Sequence, residues 1–319
     1  MTSTSTTQSE PWTILRLLQW TTEHLKKTGS SSPRLDAEVL LAHARGCGRI
    51  ELYTAFAEEP GEPVKAKFRE LVKRRATGEP VAYLVGTKEF YSLEFIVSKD
   101  CLIPRNETEH IVIECLDRAK KAISGNPTKV LRIVDVCTGS GCIAISVAKH
   151  LQQSQITAID LSPAAIAIAN SNVALHQLSD RVRILEGDLL AAIEDASMDF
   201  VLSNPPYISE NEFAKLEKTV REYEPRMALV SGADGTEIIQ RLASQASKKL
   251  LPGGWFICEF SPMIAEQVVA HLNSTNEWTS VAIVKDLAGL KRLVVAQSAA
   301  SPIGTTQATT APFQSSPTT

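Results

Sequence analysis

From residue 129 onward the chain alternates between strand-like and helical patterning, and this alternation limits the fold more than any other feature. Strand-like runs stand at 130–136, 155–160, 182–186, 198–203, 254–260, 281–285 and 290–296, with helical stretches near 142–151, 163–176, 235–250 and 262–273. Strands separated by helices pair in parallel through crossovers, so the pattern predicts an α/β fold built on a doubly wound, mostly parallel sheet. Only residues 286–289 join the last two strands. That is too short for a parallel crossover and implies an antiparallel final strand.

The first third of the chain follows a different period. Trp12, Leu15, Leu18 and Leu25 recur at helical intervals. "SSPRLDAEVLLAHARG" offers Ser32 as an N-cap, Pro33 at the first helical position and Gly46 as a stop. "EPVKAKFRELVKRRATG" is a second amphipathic helix closed by Gly78. These signals predict a small helical bundle over 11–85. The period changes near residue 87, where "KEFYSLEFIVS" alternates as a hairpin with Tyr91 and Ser92 at the turn. Thr108 then stands where it would cap a helix reaching Ala122, and "SGNP" at 124–127 reads as a linker. The predicted division is a disordered leader (1–10), a helical bundle (11–85), a hairpin with a connecting helix (86–128), an alternating α/β domain (129–296) and a disordered tail (297–319).

Composition excludes several classes of function. A formal net charge of −3 gives no global basic field for gripping nucleic acid. The six cysteines form no C-x-x-C pair and no zinc-ligand spacing, as expected of reduced thiols in the cytoplasm. No apolar run approaches the roughly 18 residues of a membrane span, and the first ten residues lack the basic and apolar regions of a secretory signal.

The chemistry is concentrated at the strand ends. The first strand of the alternating region ends in "VDVCTGSGCIAI", with Asp135 followed by Cys137, Thr138, Gly139, Ser140 and Gly141 before a helix. The second ends in Asp160, which lies 160 − 141 = 19 residues beyond Gly141, near the spacing of a ribose-binding acid. The third leads into "EGDLL", with Asp188 and Leu189, and the fourth into "NPPY", Asn204-Pro205-Pro206-Tyr207. Each piece has a plain alternative: a tight turn, a helix cap, a strand stop. Together they place one polar group per strand on a single rim, where open parallel sheets bind ligands. The glycine loop lacks the third glycine of a dinucleotide site, and no Gly-Lys-Ser/Thr is present for a triphosphate. A ligand with adenine and ribose but no pyrophosphate fits, and S-adenosylmethionine is such a molecule.

The region 129–296 resembles a class I S-adenosylmethionine-dependent methyltransferase. The wider set of motifs is similar to the HemK/PrmC family of peptide chain release factor glutamine methyltransferases. The segments that carry the resemblance include "RLDAEVLLAH", "RRATGEPVAYLVGTKEFYSLEFIVSKDCLIPRNETE", "VCTGSGCIAI", "NPPYI", "EPRMALVSGADG" and "DLAGLKR", spread over residues 12–296. Three positions depart from the family pattern: Asn106 where proline is usual, Cys137 where the first loop glycine is commoner, and "CEFSP" at 258–262. The resemblance implies a Rossmann-like seven-stranded sheet, preceded by a helical substrate-docking bundle and a hairpin connector. It also implies methyl transfer to the glutamine amide of the Gly-Gly-Gln loop of release factors, with S-adenosylhomocysteine as product, no metal and a monomeric enzyme.

In that reading the Asn204 side-chain oxygen and the Pro205 carbonyl accept the two N–H hydrogens of the target amide. Pro206 contributes to substrate binding, and Tyr207 offers a flat face. Cys137, Thr138, Gly139, Ser140, Gly141, Asp160, Asp188, Leu189 and Asn204 are the expected cofactor contacts. Asp135, which closes the first strand, is a further candidate; Arg105 and Glu107 of "PRNETE" would either line the cofactor or substrate entrance or form a salt-bridged helix start. The competing readings are an adenine or guanine N-methyltransferase acting on DNA or RNA, and a catalytically silent partner protein.

Overall fold

The computed structural model describes residues 11–126 and 128–299. The expected leader (1–10), Pro127 of the linker, and residues 300–319 of the expected tail lie outside them. Five helices come first: α1 (Ile14–Lys27), α2 (Pro33–Arg45), α3 (Arg49–Thr54), α4 (Glu62–Ala76) and α5 (Val81–Val85). Gly46 ends α2 in the left-handed conformation (φ 73°), where a residue with a side chain would be strained. Ser32 occupies the N-cap of α2 but makes no side-chain capping bond there. Ile14, Leu18, Leu25, Leu40, Leu41, Phe68 and Leu71 meet in a core belonging to the bundle itself.

A two-stranded hairpin follows, β1 (Thr87–Phe90) and β2 (Leu93–Ile96). Its turn residues Tyr91 and Ser92 both have positive φ (50° and 59°), as a tight two-residue hairpin turn requires. Glu109 stabilises this non-glycine turn by accepting from the Tyr91 backbone N–H at 2.9 Å. Helix α6 (Glu109–Ser124) leads to β3 (Leu131–Val136), α7 (Cys142–His150), β4 (Ser154–Asp160), α8 (Pro163–Leu175), β5 (Val182–Glu186) and β6 (Met198–Ser203). After two short helices, α9 (Glu210–Phe213) and α10 (Lys218–Tyr223), come α11 (Glu237–Lys249), β7 (Leu250–Glu259), α12 (Ala265–Asn273), β8 (Trp278–Lys285) and β9 (Lys291–Ser298).

The seven strands of the main sheet run in the order β5-β4-β3-β6-β7-β9-β8. All pairings from β5 to β7 are parallel, and β9 lies antiparallel between β7 and β8. The side chains explain this insertion. Leu293, Val294, Val295 and Ala296 of β9 are all buried, as an interior strand requires, whereas β8 is largely half-buried or exposed and forms the edge. Alternate residues of the central strands feed two cores. Ile133 points with α6 and α7 to one face; Val134 and Val136 point with α11 and α12 to the other. Because β9 continues to Ser298, the expected boundary at 296 is too early: Gln297 and Ser298 belong to the strand.

The strand order reverses between β3 and β4 on one side and β6 on the other, so the carboxyl ends of these strands open a crevice. Asp135, Asp160 and Asn204 lie in or just beyond those ends.

Candidate active site

A cavity of about 180 Å³ occupies this crevice. Thr138, Gly139, Ser140, Asp160, Asp188 and Leu189 line it, together with Cys137, Asn204, Pro206 and Arg105. Five predicted positions lie elsewhere, Tyr207 among them. Gly141, Pro205 and Glu107 do not face it, and Asp135 stands behind the loop.

The loop after β3 owes its shape to three positive φ angles: Cys137 (58°), Gly139 (56°) and Gly141 (81°). For Cys137 this conformation costs about 1 kcal/mol that glycine would avoid, which gives the departure from glycine there a backbone meaning. Gly141 serves packing instead. A Cβ there would sit 3.2 Å from Ile145 Cδ1 and 3.5 Å from Ala169 Cβ, so glycine lets α7 and α8 close up behind the loop. Asp135 braces the loop from inside, accepting from the Thr138 hydroxyl at 2.6 Å and from the Ala144 N–H at 3.2 Å. Among the described residues its other oxygen has no hydrogen-bond partner, and burial pushes its carboxyl up to about 7.

Asp160 ties the loop to the next strand. Its two oxygens accept from the Gly139 N–H at 2.8 Å and the Ser162 N–H at 2.9 Å. Burial raises its pKa, and these backbone donors oppose the rise. Asp188, half exposed, pairs with Arg241 of α11 at 2.6 Å. Leu189 adopts φ 54° beside it.

The far end of the cavity is built around Asn204. Its amide nitrogen donates to Thr108 Oγ1 at 3.0 Å, and that hydroxyl donates to Glu259 Oε2 at 2.7 Å. Tyr207 donates its phenolic proton to the other oxygen of Glu259 at 3.1 Å. Both Thr108 and Glu259 are 2% exposed. Thr108 occupies the N-cap position of α6, as expected, but makes no side-chain capping bond there; its hydroxyl reaches into the site instead. Burial, opposed by the bonds from Thr108 and Tyr207, pushes the Glu259 carboxyl up to about 7. Tyr207 lines not the main cavity but a smaller adjoining hollow with Leu102, Arg105 and Val220.

Arg105 stands between the two spaces and is ion-paired to the buried Glu224, which also accepts from the Ile103 N–H at 3.3 Å. Glu107 points away and faces Arg292 at 3.7 Å. The residue before Glu224 touches the helical bundle: Tyr223 donates to the Thr77 carbonyl at 3.4 Å, and its hydroxyl lies 3.2 Å from Thr77 Oγ1. The hairpin is fastened to the loop by Asn172 of α8. Asn172 accepts from the Ile96 N–H at 2.7 Å and donates to the carbonyls of Ile96 and Ser140, each at 2.9 Å. Among the described residues, no group of three or more metal-ligating side chains converges.

Sequence comparison places this architecture. Residues 16–86 match the PrmC N-terminal domain and residues 110–222 the methyltransferase small domain. A release factor glutamine methyltransferase of Rhodopirellula baltica is 50% identical over 295 residues, covering 92% of this chain and 99% of that protein. The chain belongs to the release factor glutamine methyltransferase family. Further family members from Koribacter versatilis and Geobacter sulfurreducens are 39% and 38% identical, covering 88% and 91% of this chain and 96% and 98% of theirs. Among solved structures, the hMettl16 catalytic domain, in complex with a MAT2A 3′UTR hairpin, superposes with a TM-score of 0.51 at 18% identity. It covers 72% of this chain and 82% of that one, a likeness of fold.

Proposed function

We propose that this chain transfers a methyl group from S-adenosylmethionine to the side-chain amide nitrogen of the glutamine in the Gly-Gly-Gln loop of peptide chain release factors. The observation that carries the reading is the state of Asn204. Its nitrogen is committed to Thr108, while its oxygen has no hydrogen bond among the described residues and remains accessible in the cavity wall.

A glutamine amide is a weak nucleophile because its lone pair is delocalised into the carbonyl. What it needs is an acceptor that holds the NH2 group in one orientation and stabilises the positive charge developing on nitrogen. Asn204 Oδ1 meets that need; the Pro205 carbonyl, the second acceptor expected from the motif, does not line the cavity. The cavity suits the cofactor: backbone of the Thr138–Ser140 loop, the Asp160 carboxylate for ribose hydroxyls, and Leu189 beside Asp188 for the adenine end. When bound, S-adenosylmethionine supplies an electrophilic methyl group and leaves as S-adenosylhomocysteine. The curated relatives are named for this activity. The helical bundle, joined to the site wall through Tyr223, is our docking domain for the release factor. We also propose a monomeric, cytoplasmic enzyme; no helix among the described residues is long and apolar enough to cross a membrane.

The test is transfer of labelled methyl from S-adenosylmethionine to purified release factor, with DNA and RNA as competing acceptors, followed by peptide mapping. Label on the Gly-Gly-Gln glutamine is expected. Label on nucleic acid, with none on the release factor, would overturn the reading.

A further inference from the structure

An amide side chain can present either its oxygen or its nitrogen to a substrate, and only one choice is productive here. A substrate NH2 brings two donors, so Asn204 has to offer Oδ1. We propose that Thr108 and Glu259 are the positioning residues that impose this choice: the Glu259 carboxylate takes the single Thr108 proton, leaving Thr108 only lone pairs to offer, and Asn204 must then turn its nitrogen inward and its oxygen toward the substrate. The inference rests on the proposed function, because it assigns the two residues to the same amide.

The geometry is a directed chain. Asn204 Nδ2 reaches Thr108 Oγ1 at 3.0 Å, and Thr108 Oγ1 reaches Glu259 Oε2 at 2.7 Å. The chain is anchored at its far end, where Tyr207 donates to Glu259 Oε1 at 3.1 Å. A threonine hydroxyl has one proton to give. Once it is given to a carboxylate, the group facing Thr108 from Asn204 has to be a donor. The three links come from separate parts of the chain: the start of α6, the end of β6 and the end of β7. A buried carboxylate with no hydrogen-bonded cation is a costly way to fill space. An apolar residue would serve packing better, so the carboxylate is explained by the direction it gives to the chain.

Protonation reverses the direction. A neutral Glu259 can donate to Thr108, Thr108 can then donate to Asn204 Oδ1, and the amide can rotate to face the substrate with its own NH2. The groups acting on Glu259 are Thr108 from the turn before α6, Glu107 from the same turn, Tyr207 after β6, Cys258 beside it on β7, and Arg292 on β9. Arg292 is already shared between Asp286 at 2.8 Å and Glu107 at 3.7 Å, so its pull on Glu259 is divided. The ionised, productive form is therefore lost as pH falls through the neutral range.

The experiment measures single-turnover rates with saturating cofactor and release factor across pH 5.5–9 for wild type, Thr108→Val, Thr108→Ser, Glu259→Gln and Asn204→Ala. The expected results are a wild-type rate that falls on the acid side and a Thr108→Val rate about tenfold lower. Thr108→Ser should restore the rate. Glu259→Gln, which keeps the shape and removes the titration, should be slower and lose the acid limb. In the cofactor-free protein, the ¹⁵N–¹H side-chain amide signals of Asn204 should move with pH in wild type and not in Glu259→Gln. A wild-type rate in Thr108→Val, or an unchanged acid limb in Glu259→Gln, overturns the proposal. If Thr108→Val does not fold, the limb and amide signals of Glu259→Gln decide alone. Should Asn204→Ala also turn over normally, the reading of the whole site falls, a result distinct from failure of the relay alone.

Discussion

In the proposed reaction Asn204 acts through one oxygen, and its variants separate acceptance from packing. Asn204→Ala is expected to lower turnover about 10²–10³-fold with little change in cofactor affinity, read by single-turnover kinetics beside calorimetry. Asn204→Asp keeps an acceptor toward the substrate but sets a second carboxylate oxygen against Thr108, whose proton is already held by Glu259. Its activity should therefore be partial at low pH and approach that of the alanine variant at high pH, the reverse of the wild-type limb. Asp160→Ala should raise the cofactor dissociation constant by about tenfold to a hundredfold, through loss of a charge-assisted contact to the ribose. Unchanged affinity in a folded variant would remove Asp160 from the site. At this scale the sequence was legible wherever chemistry follows a strand end, as at Asp160 and Asn204. It was silent on the partners that give those residues direction. Thr108 is 96 residues from Asn204 and 151 from Glu259, and locally it looks like a helix cap. Spacing along a chain carries no signal for contacts that exist only after the sheet has formed.

Whole elements were easier to read than their attachments. The alternation of strands and helices, the hairpin and the antiparallel last strand all follow local rules of period and loop length. That β9 enters between β7 and β8 follows from burial of Leu293 to Ala296, a pattern with meaning once the neighbouring strands are known. The fastening of the hairpin to α8 was not legible either, because Asn172 sits in an Ala- and Asn-rich helix that offers no motif. Asn172 satisfies one N–H and two carbonyls with a single amide. Asn172→Ala should therefore cost roughly 2–4 kcal/mol, measured by urea unfolding. Asn172→Asp, although nearly isosteric, should cost at least as much, because it turns a carboxylate oxygen toward the carbonyls of Ile96 and Ser140. An aspartate variant as stable as wild type would show that the amide donors are dispensable.

At the scale of the molecule, the buried acids set a pH dependence. Asp135 has a folded pKa raised from 3.8 to about 7, so the fold favours its protonated form. Its stabilising contribution is full below about pH 4 and is lost as pH rises through 7. Asp135→Asn should accordingly reduce the fall in unfolding free energy between pH 5 and 8 by roughly 2–3 kcal/mol, read by urea titration at the two pH values. Helix α5 joins the bundle to the hairpin: Val81, Leu84 and Val85 pack into the bundle core, while Ala82 and Tyr83 pack against Val97, Cys101 and Ala165. Removing residues 1–85 should leave cofactor binding intact and abolish methylation of whole release factor, while a free Gly-Gly-Gln peptide is still modified slowly. Full activity on the intact protein would end the docking role. The insertion of β9 has a consequence for how the molecule is made. A ribosome releases β7 and β8 before the strand that must lie between them, so the nascent chain carries an uncovered apolar edge beside Glu259 until residue 298 has emerged. Every residue of the cavity has been synthesised by then, yet the site lacks its supporting wall. A message cut short within the last strand should yield an insoluble product rather than a weakened enzyme, and the cell would meet it as a substrate for chaperones and proteases.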